Sequence, residues 1–97
     1  FGNYTLDAGH ATLRNHESGK SHTLTAREAQ ILQLLAENQG EVVRREVILN
    51  RCWNKEDDYF ASRSLDVFVT KLRKLFENDL QVEIKTIRGV GLMLNVS

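Results

Sequence analysis

The chain has 97 residues, of which 41% are hydrophobic and 27% are charged. This length and composition predict one globular domain and argue against an intrinsically disordered chain. Its 13 basic and 13 acidic residues give a formal net charge of zero. Because nucleic-acid-binding domains usually carry a positive excess, the overall charge by itself counts against such a partner.

The single cysteine and the lack of long apolar runs exclude further classes of protein. Cys52 is the only cysteine, which excludes an intrachain disulfide and a cysteine-based zinc site. A reducing compartment is therefore expected, and no metal or organic cofactor. No stretch approaches the ~18 apolar residues of a membrane span, and residues 1–10 lack the basic and then apolar pattern of a signal peptide.

The first 24 residues are predicted to form a small antiparallel sheet of three or four strands. Apolar and polar residues alternate weakly there, and turn signals occur at residues 7–9 and 17–20. His10, His16 and His22 follow one another at intervals of six residues. That spacing does not bring side chains together on a helix or hairpin, so we expect exposed histidines rather than a metal site.

Two helices are predicted next. Thr25 and Glu28 have the spacing of a capping box, and the apolar stripe that follows contains Ala29, Ile31, Leu32, Leu35 and Ala36. Asn38 and Gly40 are predicted to end this core helix. The second helix is predicted over residues 45–53, with Val47, Ile48, Leu49 and Cys52 available for burial. Arg44 precedes it, although arginine lacks the short acceptor side chain favoured at that position.

Residues 54–61 are predicted to form a loop. Three consecutive acids, Glu56, Asp57 and Asp58, precede two aromatic residues, Tyr59 and Phe60. A calcium-binding loop would need alternating oxygen ligands and a glycine at its turn, and this segment has neither in order. Two interpretations stay open: a solvated loop, or a contact surface for another protein, which exposed aromatic side chains would favour.

A third helix, over about residues 62–77, has the strongest pattern in the chain. At 100° per residue, one stripe contains Leu65, Val69, Leu72 and Phe76. The opposite face contains Arg63, Ser64, Val67, Thr70, Lys71 and Lys74, and no acid. Cations and hydroxyl groups suit phosphates and base edges in a DNA major groove, and an exposed valine suits a thymine methyl. The alternative is an ordinary surface helix that happens to be basic.

The uneven distribution of charge weakens the objection from zero net charge. Residues 63–74 include four basic residues and one acid, whereas three acids lie together at residues 56–58. A dipolar surface can bind DNA on one side, with weak long-range steering and a strong dependence on salt.

The chain is predicted to close with a β-hairpin over residues 82–97. Residues 82–87 alternate with period two, residues 88–91 supply a glycine-containing turn, and residues 92–96 form the second strand. The turn is too short for a dinucleotide-binding loop, and a strand rather than a helix follows it. Arg88 is expected to project near the tip of the hairpin.

Three helices followed by a hairpin, with the third helix basic on its outer face, is the order of a winged helix-turn-helix, an α+β fold. The whole chain also resembles the OmpR/PhoB-type effector domain of two-component response regulators. The resemblance rests on three motifs: Leu24-Thr25-x-x-Glu28; Arg63-Ser64-Leu65-Asp66-Val67 with Leu72-Arg73-Lys74; and Thr86-Ile87-Arg88-Gly89-Val90-Gly91.

The resemblance implies a bacterial, cytoplasmic transcription regulator in phosphorelay signal transduction. It implies binding to tandem repeats of double-stranded DNA as a homodimer, contact with RNA polymerase, and a sensor histidine kinase that acts through a receiver domain. Because the chain starts at Phe1 rather than at methionine, we expect it to be part of a longer protein, with the receiver domain upstream.

The resemblance also assigns roles to individual residues. Positions that the family uses for phosphates and base edges are occupied by Arg63, Val67, Thr70, Lys71 and Arg73, wing contacts by Thr86 and Arg88, and a backbone contact by Trp53. The residues of the loop that meets RNA polymerase in this family are Glu56, Asp57, Asp58, Tyr59 and Phe60. Ser64 and Lys74, from the exposed face of the third helix, complete the predicted site.

The chain departs from the family pattern at several positions. Thr70 stands where a basic residue is frequent, so fewer phosphate contacts are expected. Phe68 stands where many relatives have a polar residue, and it is expected to repack the edge of the helix. Leu92 and Met93 replace the usual Tyr-Arg after the wing turn, which removes a phenol and a charge.

Sequence-specific DNA binding, with Lys71 as the candidate for base readout, is the main functional hypothesis. The alternative is a winged-helix module that acts mainly through protein–protein contacts, which the zero net charge and the acidic, aromatic loop favour. An enzyme is the weakest class, with no catalytic residue predicted, because Cys52 lies on a predicted core helix and no partner histidine is indicated.

Overall fold

The computed structural model describes residues 1–53 and 58–96, with side chains described from Arg63 onward in the second range. Within these residues the elements are, in chain order, β1 (Tyr4–Asp7), β2 (Thr12–Asn15), β3 (Ser21–Thr23), α1 (Ala26–Glu37), β4 (Val43–Arg44), α2 (Arg45–Cys52), α3 (Asp58–Leu75), β5 (Val82–Ile87) and β6 (Gly91–Val96). This order is the predicted α+β winged helix-turn-helix.

The N-terminal sheet has the predicted antiparallel arrangement, with strands in the order β1-β2-β3. It is attached to the end of α3 through aromatic side chains. The Tyr4 and Phe76 rings meet edge to face with centroids 5.0 Å apart, and the Phe1 ring lies 6.0 Å from that of Phe76. Such pairs stabilise packing beyond the area that they bury.

α1 begins as its capping pattern predicts. The Glu28 amide donates to the Thr25 hydroxyl over 3.1 Å, and the Thr25 amide donates to the Glu28 carboxylate over 3.0 Å. The helix ends at Glu37, and Gly40 then adopts a φ of +81°, a value that glycine accommodates readily. The Gly40 amide donates to the Leu94 carbonyl over 2.8 Å, which fastens the turn to β6.

α3 both begins and ends earlier in the chain than predicted. The loop prediction for residues 58–61 is wrong, because the helix already begins at Asp58; residues 54–57 of that predicted loop lie outside the described residues. An acid in the first turn is favourable beside the partial positive charge of a helix N-terminus, and no glycine or proline interrupts this segment. At the other end, the Phe76 amide donates a hydrogen bond to the Arg73 carbonyl. This i to i−3 bond tightens the last turn of the helix.

A second sheet, with strand order β4-β6-β5, contains a short strand that the sequence did not predict. β5 and β6 form the predicted hairpin, and β4 pairs with the other edge of β6, with Val43 opposite Leu92 and Arg44 opposite Gly91. Gly91 is the first residue of β6, so its assignment to the turn is wrong. Gly89, with a φ of +76°, is the residue that the turn conformation requires.

The core lies between the three helices and the two sheets. Its fully buried large side chains are Leu13, Ile31, Leu32, Leu35, Ile48, Leu65, Leu72 and Leu94. The α1 stripe is buried as predicted at Ala29, Ile31, Leu32 and Leu35, with Ala36 partly buried at its edge. Cys52 is also buried, as expected, and burial raises the pKa of its thiol. Burial of these residues holds α3 in place and leaves its opposite face outward.

Candidate nucleic-acid interface

The two faces of α3 differ in exposure as predicted. Leu65 and Leu72 are fully buried, and Val69 and Phe76 are nearly so. The opposite face exposes Arg63, Val67, Thr70, Lys71 and Lys74, with Ser64 partly buried at its edge. Val67 is 55% exposed although it is apolar. Basic side chains therefore surround the exposed methyl groups of Val67 on the outer surface of α3. We call these six residues the helix face.

Two hydrogen bonds limit what the helix face offers. The Thr70 hydroxyl donates to the Asp66 carbonyl over 3.0 Å, so its hydrogen is already used within the helix. Thr70 therefore presents its methyl group and oxygen lone pairs rather than a donor. Asp66, the only acid among the described side chains of α3, accepts from the Arg45 guanidinium over 3.0 Å. That ion pair offsets the negative charge next to Val67.

A row of aromatic and cationic side chains supports Lys71. The Lys71 ammonium lies 5.7 Å from the centre of the Phe68 ring, and Phe68 meets Trp53 edge to face at 5.9 Å. The Arg27 guanidinium lies 4.6 Å from the centre of the Trp53 ring. A cation near an aromatic face is attracted to the ring's quadrupole. Phe68, a departure from the family pattern, therefore packs at the helix edge as expected and steadies Lys71.

Trp53 is buried, since only 6% of it is exposed. Its position at the end of α2 agrees with the prediction. The small exposed fraction leaves little area for the predicted DNA backbone contact, which stays a prediction. Arg27 was not predicted to take part in this site. Its Nε donates to the Cys52 carbonyl over 3.1 Å, which links α1 to the end of α2.

The wing, residues 82–96, places its polar residues beside the C-terminal half of α3. Thr86 on β5 and Arg88 in the turn are both exposed. The Arg73 guanidinium donates to the Ile84 carbonyl over 3.1 Å and to the Thr86 hydroxyl. Arg73 and Thr86, which were predicted as separate DNA contacts, are thus brought together.

The turn of the wing is attached to the start of α2, a feature that the sequence analysis missed. The Arg45 amide donates to the Val90 carbonyl over 3.0 Å, next to the bridge between Arg44 and Gly91. Val90 itself is 42% exposed at the wing tip. Because the bond joins two backbone groups, no side-chain pattern in the sequence indicates it.

The predicted polymerase-contact loop is largely outside the described part of the chain. Glu56 and Asp57 are not described, and Asp58, Tyr59 and Phe60 are described only as backbone of the first turn of α3. The role of these five residues therefore stays a prediction.

The histidines are exposed, as expected. The His10 ring lies 2.8 Å from the Asp7 carboxylate, which lowers the pKa of that carboxyl. Among the described residues, no group of three or more His, Cys, Asp and Glu side chains could hold a metal ion. In the same part of the chain, no helix is both long and apolar enough to cross a membrane.

Comparison with known proteins identifies the class. The family model for the C-terminal domain of transcriptional regulatory proteins matches residues 19–94. The transcriptional regulatory protein RprY of Bacteroides fragilis is 37% identical over 94 residues, covering 97% of this chain and 39% of RprY. The chain belongs to this OmpR/PhoB-type family of response-regulator effector domains.

Solved structures agree with the fold. The response regulator DrrB of Thermotoga maritima, an OmpR/PhoB homologue, has a TM-score of 0.76 at 35% identity, with 98% of this chain and 42% of DrrB covered. The DNA-binding domain of AdeR, solved in complex with an intercistronic region, has a TM-score of 0.79 at 27% identity, with 100% of this chain and 98% of that chain covered. The chain spans about two fifths of the length of RprY, 39%.

Proposed function

We propose that this domain binds double-stranded DNA sequence-specifically and thereby controls transcription, with α3 in the major groove and the wing on adjacent backbone or in the minor groove. The observation that carries the proposal is the helix face, where exposed Arg63, Lys71 and Lys74 surround an exposed Val67 while the opposite stripe is buried. Its family membership and the DNA complex of the AdeR domain support the same function.

The dimensions of α3 suit a major groove. The helix has 18 residues, so it is about 27 Å long at 1.5 Å per residue. A major groove of B-DNA, about 12 Å wide, admits one α-helix. The exposed positions along α3 can then reach several successive base pairs from one side.

We assign the roles by chemistry. Lys71 is the base-reading residue, because an ammonium donates to guanine O6 and N7. Val67 contacts a thymine methyl, and its burial there would remove exposed apolar area from water. Arg63 and Lys74 contact phosphates on either side, and Arg88 does so from the wing. Ser64 and Thr70 line the helix face, where Thr70 presents a methyl group.

The salt dependence follows from the number of cations. Arg63, Lys71, Lys74 and Arg88 are the exposed cations of the helix face and wing turn. With Lys71 on a base, the other three neutralise phosphates, which gives a slope of about −2.7 in log affinity against log salt, or roughly a 40-fold loss between 50 and 200 mM. Lys71 on a phosphate instead would make the slope steeper, near −3.6.

Selection from pooled random duplexes, followed by a salt series on the selected duplex and on a scrambled control, tests the proposal. We expect enrichment of one motif, a slope in the range above, and tighter binding to the selected duplex. Absence of binding to every duplex at low salt would contradict the proposal. It would favour the alternative function, protein–protein contact, for which the zero net charge is the supporting observation.

We further propose the finer features that the family resemblance implies. These are binding to tandem repeats as a homodimer, a cytoplasmic location, and control by a histidine kinase through an upstream receiver domain. A contact of the segment around Tyr59 and Phe60 with RNA polymerase is also proposed. Changing both aromatic residues to alanine should abolish transcription activation in vitro while DNA affinity is unchanged; a parallel loss of DNA affinity would contradict the polymerase role.

A further inference from the structure

Arg73 and Thr86 are held together across the helix and the wing. Resting on the proposed DNA-binding function, we propose that Arg73 is a positioning residue that orients the Thr86 hydroxyl toward a DNA phosphate, rather than a phosphate contact in its own right. The geometry that points to this role is the pair of hydrogen bonds from one guanidinium to Ile84 and Thr86.

The guanidinium is engaged at two points on the same strand. Its Nε donates to the Ile84 carbonyl over 3.1 Å, and its Nη2 donates to the Thr86 hydroxyl oxygen. Ile84 and Thr86 are two residues apart, so their side chains leave β5 on the same face. The bond to the Ile84 carbonyl is partly buried and the bond to the Thr86 hydroxyl is exposed, so the guanidinium lies at the boundary between the core and the outer surface.

This arrangement determines the direction in which the Thr86 hydroxyl can donate its hydrogen. A hydroxyl group has one hydrogen to donate and two lone pairs that accept. Because a guanidinium only donates, the Thr86 oxygen must accept from Arg73, and the hydroxyl hydrogen points elsewhere. A DNA phosphate oxygen only accepts, so it is a matched partner for that hydrogen. The positive charge behind the hydroxyl strengthens the same bond.

The two bonds to β5 use two of the five N–H groups of the guanidinium and occupy its Nε–Nη2 edge. A guanidinium that turned this edge toward a phosphate would give up one or both bonds to β5, leaving the Ile84 carbonyl without this donor. Holding β5 against α3 also sets the distance between the helix face and the wing turn that contains Arg88. In the proposed role, the same residue positions two parts of the interface, the Thr86 hydroxyl and the wing turn.

A double-mutant cycle on the selected duplex tests the inference, using Arg73→Lys, Thr86→Val and the double variant. Lysine keeps the positive charge but cannot reproduce the planar two-point contact, and valine keeps the β-branched shape but removes the hydroxyl. We expect each single change to weaken binding roughly tenfold, and the double change to weaken it no further than the larger single effect. The salt slope should stay unchanged in all three.

Control variants separate this role from simpler ones. Arg14→Lys makes the same chemical change at an exposed residue of β2, outside the helix face and the wing, and it should leave affinity unchanged. Thr86→Ser keeps the hydroxyl and should retain most of the affinity. Thermal unfolding of each variant checks that the domain stays folded at the temperature of the binding assay.

The outcomes distinguish the inference from the function on which it rests. Additive effects of Arg73→Lys and Thr86→Val, or an affinity of Arg73→Lys that matches that of Arg14→Lys, would overturn the positioning role while DNA binding stands. Failure of the parent domain to bind any duplex would instead overturn the proposed function. A resolved, exchange-protected Nε–H signal of Arg73 in the free domain is expected by NMR, and a freely exchanging one would also contradict the inference.

Discussion

Replacing Gly91 with alanine should destabilise the domain more than any other glycine change in the wing. A Cβ built at Gly91 lies 2.0 Å from the Val43 carbonyl oxygen and 2.8 Å from its carbonyl carbon. Both atoms are backbone, so no side-chain rotation can relieve the overlap. Normal contact requires a separation greater by about 1.5 Å, which forces β4 away from β6.

The magnitude follows from what that displacement disrupts. Forced insertion of a methyl group into a packed site costs about 1–3 kcal/mol. Separation of β4 from β6 weakens the bridge of Val43 with Leu92 and of Arg44 with Gly91, and each lost backbone hydrogen bond costs about 0.5–1.5 kcal/mol. The combined loss is about 3 kcal/mol, a large part of the ~5–15 kcal/mol that stabilises a typical domain.

Gly89→Ala is the matched control. Gly89 lies two residues away in the same hairpin, has a φ of +76°, and has no atom within 4 Å of a built Cβ. Its substitution should cost about 1–2 kcal/mol, the strain of a left-handed conformation alone. Urea unfolding followed by circular dichroism measures both variants. A loss below 1 kcal/mol for Gly91→Ala, or a loss no greater than that of Gly89→Ala, would refute this account of the β4–β6 contact.

Other predictions concern single side chains. Lys71→Ala should weaken binding to the selected duplex by about 1–3 kcal/mol and relax preference at one base pair; equal losses on selected and scrambled duplexes would make Lys71 a phosphate contact. Thr25→Ala should lower the free energy of unfolding by about 1 kcal/mol through loss of the capping box, and Thr25→Ser should restore most of it. Burial raises the pKa of the Cys52 thiol, so less thiolate is present at neutral pH, and a thiol reagent should react slowly in buffer and fast in urea; fast reaction in buffer would contradict its burial.

Periodicity was reliable wherever a local pattern decides structure. The buried stripe of α3 through Leu65 and Leu72 and the capping box at Thr25 were both predicted and are confirmed. Each depends on residues three or four apart, whose spatial relation the helix geometry determines. The family resemblance, which also rests on short motifs, is confirmed by the match over residues 19–94.

The boundaries of elements and the hydrogen-bond partners of side chains were harder to predict from the sequence. The start of α3 was placed four residues late because three acids followed by aromatic residues are typical of an exposed loop, whereas the helix begins at Asp58. The hydrogen bonds of Arg73 to Ile84 and Thr86 were also not predicted. A basic residue on a basic helix gives no sign that its guanidinium is engaged by a strand eleven residues later.

The sequence by itself determined the three helices, the N-terminal sheet, the wing hairpin, the buried stripe of α3, its outward cationic face and the family, because these properties arise from local spacing and short motifs. The tertiary structure decided which distant groups meet. β4 pairs with β6, Arg45 pairs with Asp66, and Arg73 joins Thr86 only because the chain folds back upon itself. Such contacts depend on how whole elements pack around a shared core, and no single segment of the chain determines that packing.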